Sequence, residues 1–347
     1  MKIAVLNLYS DLVNRGAESF ISDFVTEISK KHGVKLFSGR DAEINDPALP
    51  QQGFYGSFIQ NFRKRLFIDP ANIQVLWFSL KIFPDLVKNK YDLLIPVNGF
   101  WQVILCHMVK LLSGGKILIT GHSGPGWDER WNLLLKPDVF VASTPELAVW
   151  AKKSAPWVRV EVIPYGIYID QINKARPTKF KLDRPVILCP ATLVPYKRVD
   201  LAIWAVSKLS KGSLIVLGDG PLKTEIKSLG EKLLGKRFKL DYVDRQTARS
   251  YFVSCDIVTL PSDRQESFAT VTIEALAAGK PQVVTDLPRR RWTLGEAALY
   301  VDPSDTDAYA SALLDCQKIS ASVIAKQAKK YSWHKISAQY EAVLKTL

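Results

Sequence analysis

Short apolar runs alternate with segments of helical period along the whole chain. KIAVLNL (2–8) is a nearly unbroken apolar run, as in a strand covered on both faces. Residues 17–31 place Phe20, Ile21, Phe24, Val25 and Ile28 at helical spacing and end in lysines beside His32 and Gly33, which predicts a helix and its stop. VKLFS (34–38) returns as a strand, and a loop-rich, aromatic stretch follows. YDLLIPV (91–97), KILITG (116–121), VFVAST (139–144) and EVIPYG (161–166) complete the strands of the first half. The second half repeats the pattern with PVILCPA (185–191), LIVLGDG (214–220), FKLDYVD (238–244), DIVTLPS (256–262) and PQVVTD (281–286). Helices are predicted over 199–209, 221–235, 246–253 and 267–279, with a last one over 332–347. Strands alternating with helices imply βαβ units and mostly parallel sheets. Two doubly wound α/β domains are expected, joined near Gly166–Arg184.

A length of 347 residues fits two domains. With 47% apolar and 23% charged residues, global disorder is excluded. The longest apolar stretch, Leu93 to Leu112, is interrupted by Asn98, Gln102, His107 and Lys110 and reads as a strand followed by a helix. No targeting or spanning segment is expected, and a cytoplasmic location follows. Cys106, Cys189, Cys255 and Cys316 lie far apart without a C-x-x-C, which excludes a disulfide scaffold and a thiolate zinc knuckle. The formal charge is +13, of which residues 1–170 carry +3 and residues 171–347 carry +10. A basic second half suits phosphate-bearing ligands or anionic surfaces, or is simply solvated. A nucleic-acid partner is not expected, because the positive excess is scattered and no basic-aromatic module is present.

In open α/β sheets ligands bind beyond the carboxyl ends of strands, and the informative residues follow strands here. In PSDRQESFATVTIEALAAGKP (261–281), Glu266 sits in the turn after a strand and Ser267 to Ala278 reads as a helix. Glu274 is then roughly 12 Å further along that helix. Two carboxylates so placed can grip hydroxyls at both ends of a nucleotide sugar, or be a capping acid and an ordinary paired glutamate. Amides at Ser267, Phe268 and Ala269 suit phosphate or sugar oxygens. In ATLVPYKRVDLAIWAV (191–206), Lys197 and Arg198 precede a helix, and two cations there can neutralise a diphosphate or remain a solvated pair. Gly218 and Gly220 in LGDGP (217–221) allow close backbone approach to a ligand or a plain turn. Gly16 opens the first predicted helix, and His122 follows KILITG in a glycine-rich loop. The segment GSFIQNFRKRLFI (56–68) interleaves aromatic and basic residues. It reads as a helix packing its aromatic face on the first domain, or as an amphipathic stretch lying on anionic lipid.

Taken in order, Gly16, His122, VIPYG, LVPYKRVD, LGDGP, PSDRQES, Glu266-x7-Glu274 and AAGKP make the chain resemble glycosyltransferase family 4, most strongly over 185–302. The resemblance implies a GT-B fold, two Rossmann-like domains facing a central cleft. It implies an acceptor-side domain over 1–167, a nucleotide-sugar donor domain over 168–331, and a terminal helix 332–347 returning to the first. The implied activity is retaining, front-face transfer of a hexosyl unit from a GDP- or UDP-sugar to a glycan, lipid-linked or other hydroxyl acceptor. No metal or other cofactor is implied, and peripheral contact with the inner face of an anionic membrane accompanies the lipid-linked case. By the same resemblance Lys197 would bind the diphosphate, Glu266 and the amides of Ser267, Phe268 and Ala269 the sugar and phosphates, and Glu274 the ribose. Val243 and Asp244 would lie beside the base, Gly16 would face the diphosphate, and His122 would sit near the transferred sugar. Three positions depart from the family pattern. Its G-R-L triplet is Ala191-Thr192-Leu193, so one diphosphate cation is missing unless Arg198 or another basic residue replaces it. Its double glycine is Arg15-Gly16, and its V-I-P-N-G reads with Tyr165 in place of Asn. A catalytically silent nucleotide-sugar binder is the alternative that Thr192 motivates.

Overall fold

The structure, a computed structural model, describes residues 1–10, 12–13, 16–48 and 58–347. Arg15 and the first two residues of the 56–68 segment lie outside the described residues. The chain divides into two compact units, Met1–Gly166 together with Ile336–Leu347, and Ile167–Lys335.

The first unit holds strands β1 (Lys2–Leu6), β2 (Gly33–Phe37), β3 (Leu93–Pro96), β4 (Lys116–Gly121), β5 (Val139–Ala142) and β6 (Arg159–Val162). Its helices are α1 (Gly16–Ile28), α2 (Phe58–Arg65), α3 (Pro70–Asn89), α4 (Phe100–Ser113), α5 (Trp127–Leu134) and α6 (Pro145–Ser154). The strands form one parallel sheet in the order β2-β1-β3-β4-β5-β6, with Ile3 opposite both Val34 and Leu93. The stretch expected to be loop-rich contains the 20-residue helix α3. Asp69 caps it by accepting the Asn72 amide at 3.3 Å, and Pro70 fills the first turn, where no amide partner is needed. Its period is hard to read because it is apolar on its outer face as well as its inner one. Val75, Phe78, Ile82 and Leu86 enter the core while Ile73, Trp77 and Leu80 stay exposed.

The second unit contains α7 (Ile169–Asn173), β7 (Val186–Pro190), α8 (Val199–Ser207), β8 (Ser213–Leu217), α9 (Lys223–Leu234), β9 (Phe238–Asp241) and α10 (Arg245–Ser254). It continues through β10 (Ile257–Leu260), α11 (Thr270–Ala277), β11 (Gln282–Thr285), α12 (Pro288–Leu294), β12 (Ala298–Val301), α13 (Thr306–Asp315) and α14 (Ala321–Ala328). These strands also form a parallel sheet, ordered β12-β11-β10-β7-β8-β9. Both faces of β7 are apolar. Ile187 and Cys189 join one core cluster, Val186 and Leu188 the other, which is why the run carries no polar alternation. From β7 the chain winds outward through β8 and β9, and from β10 it winds the opposite way through β11 and β12. The boundary between β7 and β10 is therefore the topological switch point of this sheet.

The last helix, α15 (Trp333–Leu344), begins in the second unit, and from Ile336 onward it belongs to the first. There Tyr340 packs edge-on against Phe24 with ring centroids 4.9 Å apart, and His32 Nε2 lies 3.1 Å from Glu341. The four cysteines are free and buried.

Candidate functional site

Lys197 and Glu266 follow the two strands that flank the switch point of the second unit. Lys197 ends a tight turn, Pro195–Lys197, after β7, and Glu266 sits in the loop after β10. Their charged groups form a short ion pair, and each residue is only 9% exposed. The two loops are tied a second time by the Asp263 amide donating to the Tyr196 carbonyl at 2.8 Å. Burial alone would raise the Glu266 carboxyl, but the charges of Lys197, Arg290 and Arg289 outweigh it and hold the group below its ordinary value.

The third wall comes from α12, after β11. Arg290 is fully buried and donates from Nη1 to the Phe268 carbonyl at 2.9 Å and from Nη2 to Ser262 Oγ at 3.2 Å. It thus braces the Glu266 loop at both ends. Burial pulls its guanidinium down to about 10, opposed by the Glu266 charge. Arg290 does not stand out in the sequence, because three consecutive arginines look like a solvated run. Their place just after a strand's carboxyl end was the available signal.

The helix expected from Ser267 begins at Thr270. Ala269 takes a left-handed conformation, φ 58°, which a helix cannot continue through, and the Thr272 hydroxyl donates back to the Ala269 carbonyl at 2.8 Å. Ser267, Phe268 and Ala269 therefore form a loop before the helix, and Glu274 lies just over one turn inside it rather than two. Thr192 is exposed at the end of β7. Arg198, also left-handed at φ 48°, leans toward Asp200 at 3.4 Å.

Other expected residues have local duties. A Cβ on Gly218 would sit 1.9 Å from the Ala191 carbonyl oxygen, so the glycine is required by the approach of the β8 end to the β7 end. Asp244 caps α10, accepting the amides of Gln246 at 2.8 Å and Thr247 at 3.0 Å, and Val243 packs against the core. In the first unit Gly16 is the exposed first residue of α1. His122 follows β4, with both ring nitrogens engaged: Nε2 lies 2.7 Å from Thr120 Oγ1, and Nδ1 meets the Tyr165 hydroxyl. Tyr165 in turn stacks on Phe20 at 4.3 Å. The departure at Tyr165 thus supplies the partner that holds the imidazole.

Behind this loop lies Glu129, 4% exposed, whose Oε1 accepts the amides of His122 at 2.9 Å and Ser123 at 3.2 Å. Burial raises its carboxyl to about 7 and lowers the His122 imidazole to about 4. The two act on stability with opposite sign. The His122 contribution is present above its unfolded value of 6.5 and is lost as pH falls toward 4. The Glu129 contribution is present below 4.5 and is lost as pH rises toward 7. Replacing Glu129 with Gln keeps an acceptor for both amides and removes the ionisation. The stability of Glu129→Gln relative to wild type should rise by about 1.4 kcal/mol per pH unit across that window. Urea denaturation at several pH values measures this, and a flat difference refutes the buried, raised carboxyl.

Among the described residues no group of three or more His, Cys, Asp and Glu is gathered that could hold a metal ion. Residues 184–318 match the family model described as glycosyl transferases group 1. An exopolysaccharide phosphotransferase of Streptomyces coelicolor is 29% identical over 179 residues, 48% of this chain and 19% of that protein. A phosphatidyl-myo-inositol mannosyltransferase of Mycolicibacterium smegmatis is 31% identical over 150 residues, 41% of this chain and 39% of that one. The alignments thus span well under half the length of these curated relatives. Among solved structures, Anabaena HepE in complex with UDP superposes with a TM-score of 0.74 at 16% identity, covering 100% of both chains. The chain has the GT-B fold, and the segment that matches the group 1 glycosyl transferase model lies within its second unit.

Proposed function

We propose that this protein is a retaining glycosyltransferase that moves a hexosyl unit from a GDP- or UDP-sugar to a hydroxyl acceptor on a glycan or lipid-linked sugar. The observation that carries the reading is the meeting of Lys197 and Glu266 across the β7/β10 switch point, where doubly wound sheets hold ligands. The group 1 match over 184–318 supports the reaction class, and the names of the two relatives above are consistent with glycan or lipid chemistry without choosing between donors.

In this reading the donor diphosphate lies over the Lys197 ammonium and the amides of Ser267, Phe268 and Ala269. Glu266 accepts hydroxyl hydrogens of the sugar and Glu274 those of the ribose, with Gly218, Val243 and Asp244 toward the nucleotide end. The bond from the anomeric carbon to the phosphate oxygen breaks, and its electron pair stays on the diphosphate. Lys197 and the amides stabilise that growing charge in a water-poor site. The acceptor oxygen bonds to the anomeric carbon from the same face, and its proton passes to the departing phosphate oxygen. Gly16 and His122 belong to the acceptor-side unit, and Arg198 is a further candidate for the diphosphate. No metal is required in this scheme. The silent-binder alternative rests on exposed Thr192, which leaves the site one cation short of the family pattern.

Thermal-shift titration with UDP, GDP, UDP-glucose and GDP-mannose, followed by transfer and donor-hydrolysis assays with and without EDTA, tests the proposal. A cognate donor at a hundred times its Kd should add about 2.7 kcal/mol. No shift with any donor defeats the reading. A shift without turnover selects the silent binder, and loss of turnover in EDTA defeats the metal-free scheme.

A further inference from the structure

Building on the transferase reading, we infer that Lys197 and Glu266 form a competitive pair that distinguishes an intact nucleotide sugar from the nucleoside diphosphate left after transfer. A diphosphate can take the Lys197 ammonium only by drawing it off the Glu266 carboxylate. The two charged groups lie against each other with each side chain 11% exposed, so little water is at hand to solvate either one alone. Besides the carboxylate, the ammonium has the Tyr196 ring, its centroid 5.4 Å away, a weaker partner than a full charge.

The backbone around the pair does not depend on it. The Lys197 amide donates to the Val194 carbonyl at 3.0 Å, the Glu266 amide to the Asp263 carbonyl at 3.3 Å, and the Asp263 amide to the Tyr196 carbonyl at 2.8 Å. Both loops are thereby fixed at their peptide groups, and the side chains can part by rotation about their own bonds. Arg289 and Arg290 also act on Glu266 and favour its ionised form. Arg290 is itself anchored to the Phe268 carbonyl and Ser262 Oγ, so it stays in place when Lys197 turns away. The carboxylate then remains charged and needs hydrogen donors in exchange for the ammonium. An intact donor brings both halves of that exchange, phosphate oxygens for Lys197 and sugar hydroxyls for Glu266. A nucleoside diphosphate brings only the first half, so Glu266 loses its nearest cation and gains no donor. Once the sugar has left, re-forming the pair favours release of the nucleotide.

Calorimetric titration of the whole chain with UDP, GDP, UDP-glucose and GDP-mannose tests this. The wild type should bind the nucleotide sugar more tightly than the matching nucleoside diphosphate. Glu266→Gln should tighten the nucleoside diphosphate about tenfold and leave the nucleotide sugar no tighter, since its hydroxyls lose a charged acceptor. In the Lys197→Met background the same substitution should change nucleoside-diphosphate affinity by about twofold or less, because no ammonium is left to free. Glu266→Asp keeps the charge but shortens its reach, and should give a gain on the order of threefold even where Glu266→Gln does not fold. No gain in the folded variants, or an equal gain with and without Lys197, overturns the inference while the transferase reading stands. Failure of the wild type to bind any of the four nucleotides removes both.

Discussion

Lys197→Met should lower glycosyl transfer on the order of 10²–10³-fold, the usual loss when one preorganised group facing a leaving anion is removed. It should also destabilise the ligand-free protein. The Lys197 and Glu266 side chains are each 11% exposed, and taking away one partner leaves the other charge buried, a loss of about 3–5 kcal/mol in comparable pairs. Arg290 and Arg289 still act on Glu266, so the lower end of that range is expected. The two effects separate in the double variant Lys197→Met with Glu266→Gln. Removing both charges leaves neither member of the pair alone, but the buried Arg290 then loses the Glu266 charge that supports it, so only part of the lost stability should return. Transfer should stay as low as in the single variant. Steady-state kinetics with the donor that the thermal-shift titration selects, beside urea denaturation of both variants, makes the comparison. A double variant that recovers transfer along with stability removes Lys197 from the chemistry.

Arg290→Met should cost about 2–4 kcal/mol, or roughly 4–16 °C in melting temperature for a unit of this size. The buried Phe268 carbonyl and Ser262 hydroxyl each lose their guanidinium donor, and Glu266 loses one of the cations that keep its carboxyl low. Arg290→Lys preserves the charge but cannot span both acceptors with one ammonium. It should regain much of the stability while kcat stays depressed, because the 262–268 loop is braced at one point instead of two. Wild-type melting and wild-type kcat in Arg290→Met would show that the loop holds its shape unaided.

The parallel sheets were legible because their signals are strong and local. Strands such as Val186–Pro190 are apolar on both faces, and the candidate residues Lys197 and Glu266 lie in the loops that follow such strands. The start of α11 was not legible. The residues around Ala269 are compatible with a helix, and only its left-handed backbone, set by packing of the surrounding loop, delays the helix to Thr270. Strand β12 was missed because Ala298–Val301 is short and its residues are only partly buried. The long helix α3 hid for the opposite reason, an outer face as apolar as its inner one. Arg290 could not be separated from its neighbours by sequence, since burial of one arginine among three is decided by the elements around it. Asp244 and Gly218 stood at expected positions, but the structure gives each a sufficient local reason to be there.

The return of α15 to the first unit has a consequence for biosynthesis. Residues Ile167–Lys335 form a contiguous stretch, whereas the first unit is split in sequence and lacks Ile336–Leu347 until that stretch has been made. At about 5–20 residues per second, the nascent first unit waits roughly 10–35 s while the intervening stretch emerges from the ribosome. During that interval Phe24, which Tyr340 later covers, stands without its mate. Chaperone demand should therefore concentrate on the half made first, although it has the longer time to fold.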